Sequence, residues 1–385
     1  MIYLDNAATT KISPEVLDAM MPYLTEEYGN PGAMHRLGRQ AAGAVAKARQ
    51  QVADFINAKP EQIIFTSGGS EANSLAFFGI APYLIKENKK HIIVSKTEHE
   101  SVLKAARNLC VKYQFGATFV GVNESGVVDL GSLEDCIQQN TGLVSVMHTN
   151  NEVGAVNPVV SIKEICKRNG VLFHTDCVQA AGSSPINVDT IGCDFLSLSS
   201  HKIHGSKGCG ALFVKDVGLL EPVIFGGDEQ EFGIRGGTEN VPGIVGFGMA
   251  CEIAKRDFNT NTRIVTNLKC GFHEALIGRL SYHGLSNILH LNGSGGKISN
   301  LRFDGIDTQT LLLMLDSVGV CVSAGSACRS LESSPSHVLL AMGLSDEEAR
   351  SSVRISFSTD QSYDEVISAA EIIADCVSQL HDMER

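Results

Sequence analysis

Between residues 63 and 214 the chain alternates short apolar runs, many rich in β-branched residues, with longer stretches of helical character. The short runs are Ile63–Thr66, His91–Ser95, Ala117–Val122, Leu143–Thr149, Val171–Thr175, Phe195–Ser199 and Ala211–Val214, and they read as strands. Glu71–Lys86, Ser101–Lys112 and Ser161–Arg168 read as helices between them. Strand–helix alternation of this kind is met by parallel strands with helices on both faces. The expectation is an α/β fold with a mainly parallel seven-stranded sheet. Ligands of such sheets gather where strands end and helices begin.

After Gly226 the pattern changes. A glycine-rich stretch, GGDEQEFGIRGG, precedes helical sequence from about Pro242 to Leu280 that could bridge two domains. A strand near Lys297–Phe303, a helix near Thr308–Asp316, a strand at Ser352–Ser358 and a last helix from Ser362 to Leu380 follow. These suit a smaller α+β domain. We find no internal repeat, low-complexity tract or Pro/Ser-rich linker.

At 385 residues with 43% hydrophobic side chains, the chain can bury two or three domain-sized cores. Its net charge of −12 disfavours direct nucleic-acid binding through a broad basic face. No basic-then-apolar leader opens the sequence and no apolar run is long enough to span a bilayer, so a soluble, cytoplasmic protein is expected. The 11 cysteines are odd in number and hold no C-x-x-C pair, which argues against a disulfide framework or a metal cage. Most read as small buried hydrophobes.

Three segments carry chemistry. In TSGGSEANSLA (Thr66–Ala76) a strand runs through glycines into a helix, a geometry that brings backbone N–H groups to an anion. Alone, it is equally an ordinary helix entry with Ser70 as N-cap. In FHTDCVQA (Phe173–Ala180), Asp176 and Gln179 can serve one ligand beyond the sheet, or merely cap a helix. In SLSSHKIHGSKGCGALFV (Ser197–Val214), Lys202 follows a strand and precedes a tight turn, a setting for an amine that forms a Schiff base. His201, His204 and Cys209 have the spacing of metal ligands, but the Schiff-base setting explains His201-Lys202 better and no metal is expected. Together the three segments supply a phosphate cradle, a carboxylate for a pyridine nitrogen and a reactive lysine, the needs of a pyridoxal phosphate (PLP) site.

With these stretches stand YLDNAATT (Tyr3–Thr10), YGNPGAMHRLG (Tyr28–Gly38), TEHES (Thr97–Ser101), HTNNEVGAV (His148–Val156), RGGTEN (Arg235–Asn240) and SAGSACRS (Ser323–Ser330). In this order the chain resembles the cysteine desulfurases, the NifS/IscS-like branch of the class V aminotransferase-type enzymes, over essentially its whole length. The resemblance implies the type I fold of PLP-dependent transferases. It implies a large domain at 16–255 and a small domain formed by 1–15 and 256–385, carrying a cysteine loop at about 322–335. Lys202 would hold PLP covalently and later move the substrate proton. His99 would stack on the ring and assist proton transfer, and Asp176 would pair with the ring nitrogen. Gln179 and Asn151 would bond the ring's phenolic oxygen and its surroundings, and Gly69, Ser70, Ser199 and His201 the phosphate. Thr238 would reach the phosphate in a neighbouring subunit, which implies a homodimer. Arg354 would clamp the carboxylate of L-cysteine. On the residues alone, Arg354 in SSVRISF reads instead as one half of a structural ion pair.

Cys328 lies in SAGSACRSLESSPS, a stretch of small, polar and turn-forming residues unlike the helical surroundings of Cys166 and Cys251. A mobile thiolate there could take sulfur from the substrate and pass it to a protein acceptor, a scaffold or a sulfur carrier. Arg329 beside it would favour the thiolate. The 26 residues from Cys328 to Arg354 resemble the spacing of the long-loop group. Arg329 and Ser334 depart from the Thr and Glu usual there, which leaves the acceptor open among iron–sulfur assembly, tRNA thiolation and DNA phosphorothioation. A selenocysteine lyase and an aminotransferase are the rival enzymes on this scaffold, and a non-catalytic PLP-binding scaffold is the rival from another class.

Overall fold

The computed structural model describes residues 1–325 and 334–383. Seven strands form one sheet in the order Ile63–Thr66, Gly210–Val214, Phe195–Ser199, Leu172–Asp176, Thr141–Ser145, His91–Ser95, Gly116–Val120. Only Gly210–Val214 runs against its neighbours; every other pairing is parallel. The α/β expectation holds, and six strands present their carboxyl ends at one edge.

Alternation along each strand explains the two-sided cover. Ile63, Phe65, Ile93, Val144, Phe173, Leu196 and Leu198 face one core, packed under helices Arg36–Ile56, Val159–Arg168 and Val241–Arg256. Ile64, Ile92, Val94, Leu143, Phe195 and Leu212 face the other, under Gly69–Lys86 and Glu100–Tyr113.

A second sheet is antiparallel, in the order Ser352–Ser356, Ile298–Phe303, Leu289–Gly295. Its apolar residues join Phe272, Leu276, Phe357, Ile373 and Val377, from helices Phe258–Tyr282 and Tyr363–Met383 and the turn after the sheet, in a separate core. The N-terminal segment is tied to this sheet. Leu4 lies in that core, and Ala7 N–H donates to Ser356 Oγ at 2.8 Å.

Several boundaries differ from the sequence reading. The strand expected to reach Thr149 ends at Ser145; beyond it the Met147 N–H donates to the buried Glu98 carboxyl, while the Val146 and His148 N–H groups still reach His174 and Asp176. The helical stretch from 242 to 280 is two helices that meet at Asp257, whose ψ of 7° departs from the helical value. Leu289–Gly295 (LHLNGSG) is a strand that the sequence reading did not include. It is polar, half-exposed and glycine-containing, so no apolar alternation marks it.

Candidate active site

The loops leaving the strand ends, together with the N-terminal segment, line one cavity of about 190 Å³. Gly69, Ser70, His99, Asn151, Asp176, Gln179, Ser199, His201, Lys202 and Arg354, all singled out in the sequence, lie on its wall. Thr238 is exposed and lies outside this set. Cys328 falls outside the described residues, as does Arg329.

Lys202 sits in the 3-10 turn Ser200–Lys202, directly after strand Phe195–Ser199. Its Nζ donates to the carbonyls of Ala7 and Ala8, each at 2.6 Å, so the N-terminal segment holds the amine at the cavity. The Lys202 carbonyl in turn accepts from Lys297 Nζ at 2.9 Å.

Asp176 ends its strand and is 4% exposed. Oδ1 accepts from the Val178 N–H at 2.9 Å and Oδ2 from Asn73 Nδ2 at 2.8 Å. Gln179 donates through Nε2 to the Ala7 carbonyl at 2.8 Å. Its Oε1 is buried without a partner among the described residues, a costly state unless a ligand completes it. His99 is the N-cap of helix Glu100–Tyr113.

Helix Gly69–Lys86 begins at the cavity wall. Gly68, at φ 154°, adopts a conformation that side-chain-bearing residues avoid, and it turns the chain into the helix. At Gly69 a Cβ would come within 2.8 Å of Val178 Cγ2, so only glycine lets the helix start this close to the Asp176 turn. Ser70, Ser199, His201 and Lys207 gather around that helix start. His201 Nδ1 meets Thr9 Oγ1 at 3.0 Å. Burial, then the charges of Lys202, Lys297 and Lys207, push the His201 ring down to about 4. Three cationic side chains around a neutral ring suit an anionic ligand group. The cavity thus brings together donors for an anion, a carboxylate and an amine on one wall. That donor set fits PLP.

Arg354 is 1% exposed. It donates through one Nη to Asp5 Oδ1 at 2.7 Å and through the other to the Asn151 carbonyl at 2.9 Å, while Nε has no partner among the described residues. The structural ion pair read from the residues alone is present, and the same guanidinium lines the cavity.

Residues that the sequence reading did not assign also build the site. Asn73, Asp5 and the carbonyls of Ala7 and Ala8 lie inside motifs already quoted, but nothing in a motif says which neighbour a side chain meets. Glu98, fully buried beneath Met147, has its carboxyl pushed well above the usual range by burial and then by Asp176, against the Met147 N–H. Cys166 and Cys251 are buried in helices, with thiols raised by burial, that of Cys166 to about 12. Neither is poised to react. Among the described residues no helix is long and apolar enough to cross a membrane.

Residues 2–368 match the family described as Aminotransferase class-V, and the chain belongs to that family. Within it, this chain is similar to the cysteine desulfurases. One from Trichormus azollae is 40% identical over 387 residues, covering 99% of this chain and 94% of the relative. A solved NifS-like protein superposes with a TM-score of 0.89 at 33% identity, over 98% of this chain and 100% of its own. The structure titled SspA in complex with cysteine matches with a TM-score of 0.77 at 34% identity, over 93% and 99% of the two chains.

Proposed function

We propose that this chain removes sulfur from L-cysteine with pyridoxal phosphate, releasing L-alanine and leaving a persulfide on Cys328. The observation that carries the reading is the convergence of Lys202, Asp176, His99 and Arg354 on one cavity at the sheet's carboxyl edge. Bound PLP supplies an electron sink that makes the α-proton of an amino acid removable. The protein's own groups do the rest. Lys202 leaves the Ala7 and Ala8 carbonyls to hold the cofactor, and its Nζ, once the substrate amine has displaced it, carries the α-proton. Asp176, fixed by two donors, keeps a negative oxygen at the ring nitrogen. Gln179 and Asn151 attend the phenolic oxygen, to which an amide N–H can donate. Gly69, Ser70, Ser199 and His201 hold the phosphate at the helix start.

Arg354 orients the substrate carboxylate with the part of its fork that Asp5 and Asn151 leave over. The Cys328 thiolate attacks the substrate sulfur; the C–S bond breaks, its carbon takes up a proton to become alanine, and the sulfur stays on Cys328. Exposed Thr238 serves the phosphate of a second subunit, so the working unit is a homodimer. The small domain comprises 1–15 and 256–385, whose sequence includes Cys328, and the large domain comprises 16–255. The persulfide passes to a protein scaffold or sulfur carrier.

Cys328→Ser tests the nucleophile. The variant should bind PLP with an unchanged spectrum yet form neither alanine nor a persulfide visible by mass spectrometry after L-cysteine is added. Alanine release at the wild-type rate would refute the assignment.

A further inference from the structure

Behind His99 a set of buried and half-buried polar groups forms one connected chain. Asn73, on helix Gly69–Lys86 and 1% exposed, has two amide protons and spends both. One goes to Asp176 Oδ2 at 2.8 Å and the other to Ser101 Oγ at 2.9 Å. The amide cannot be turned over, because its carbonyl would then face a carboxylate oxygen with no proton between them. The Ser101 hydroxyl, accepting from Asn73, has a single proton to give. Its other contact is His99 Nδ1 at 2.8 Å, so the proton points there. The Ser101 backbone N–H reaches the same nitrogen at 3.2 Å. A ring nitrogen that accepts from two donors carries no proton of its own, so the neutral imidazole bears its hydrogen on Nε2.

We propose that Asn73 and Ser101 are positioning residues that set the tautomer and ring orientation of His99 and tie both to Asp176. Two further observations support this. Asn73 Oδ1 is buried without a partner among the described residues, so its amide is held at a cost in stability. The chain also joins three separate elements: helix Gly69–Lys86, the start of helix Glu100–Tyr113 and the end of strand Leu172–Asp176. One amide therefore registers the two groups expected to meet the ring's face and its nitrogen. Whatever proton His99 offers the cavity leaves from Nε2.

The relay bears on the reaction through the role of His99 proposed above, so its test reads the imidazole itself. In the purified protein, nitrogen-15 NMR of His99 should show Nε2 protonated and Nδ1 bare. Ser101→Ala leaves Nδ1 with one long backbone donor, and Asn73→Leu removes the group that orients the hydroxyl. Each should move the tautomer ratio about tenfold toward Nδ1–H, the effect of one ordinary hydrogen bond, and Ser101→Thr should restore it. A bare Nε2 in the wild type would overturn the proposal, as would an unchanged ratio in folded Ser101→Ala. If His99 acts in turnover, both variants should also lower kcat about tenfold with little change in KM. A shifted ratio with unaltered kcat upholds the relay and removes His99 from the reaction, which separates the two claims.

Discussion

Strand Leu172–Asp176 carries two polar clusters, one midway and one at its carboxyl end, and the sheet treats them in opposite ways. Midway, His174 is fully buried and both ring nitrogens are bonded, Nδ1 to Ser145 Oγ at 2.8 Å and Nε2 to Ser197 Oγ at 3.1 Å. Hydroxyls on the two neighbouring strands close the cluster, and Phe77 packs edge-on against the ring at 5.7 Å. Two residues on, Asp176 opens onto a cavity whose wall includes Lys202, His99 and the incompletely bonded Gln179 and Arg354. Burial alone therefore does not mark a working residue. A buried polar group whose bonds are all made within the protein stabilises, whereas one with capacity to spare beside a cavity is available for chemistry.

The sharpest way to break that contrast is at its cavity end. Lys202→Ala removes the amine and its bonds to the Ala7 and Ala8 carbonyls while leaving the apolar cores in place. Alanine formation should fall by at least about 10³-fold, the scale of losing a covalent catalyst, with the melting temperature almost unmoved. An active Lys202→Ala would end the assignment, and a collapsed fold would show that the cavity end is structural after all.

His174 should show the reverse pattern. Burial pushes its ring from 6.5 down to about 3, so the folded protein keeps it neutral. The unfolded chain protonates the same ring below about 6.5. Acidification thus favours unfolding throughout the window between these values and adds nothing further below it. At about 1.4 kcal/mol per pH unit, the loss across the window is on the order of 5 kcal/mol. His174→Gln should be less stable than the wild type at pH 7, lose less stability on acidification, and keep kcat within a few-fold. Parallel stability curves for the two proteins, followed by denaturant titration at several pH values, would show that His174 is not the acid-sensitive group.

How much of this was legible follows the same division. Local patterns exposed the six strands that aim loops at one edge, because apolar runs and glycine turns are written in consecutive residues. Asp176 and Lys202 were readable because each follows such a run directly. The contacts that complete the site were not. Lys202 meets carbonyls 194 and 195 positions away, and Arg354 meets Asp5 across 349 positions, separations with no sequence period. Strand Leu289–Gly295 escaped notice because only Leu289 and Leu291 are apolar and its remaining polar and glycine residues satisfy an edge pairing.

Glu98 lies between the two regimes, buried like His174 yet charge-coupled to Asp176. Its raised carboxyl means that folding takes up a proton there. Its contribution to stability is complete below the ordinary carboxyl value of 4.5 and is lost as pH rises toward the folded value. Glu98→Gln keeps an acceptor for the Met147 N–H and cannot ionise beside Asp176. The variant should therefore match the wild type near pH 4 and become progressively more stable as pH rises. The gain should reach at least about 1.4 kcal/mol, the equivalent of a tenfold change in proton affinity. Turnover should change less than about twofold, since Glu98 is not part of the cavity wall, and the small stability gain makes differential scanning across pH the right measurement. A variant that loses stability as pH rises would mean that the Glu98 carboxylate is charged in the fold. The cavity end would then hold two like charges where the comparison with His174 allows one.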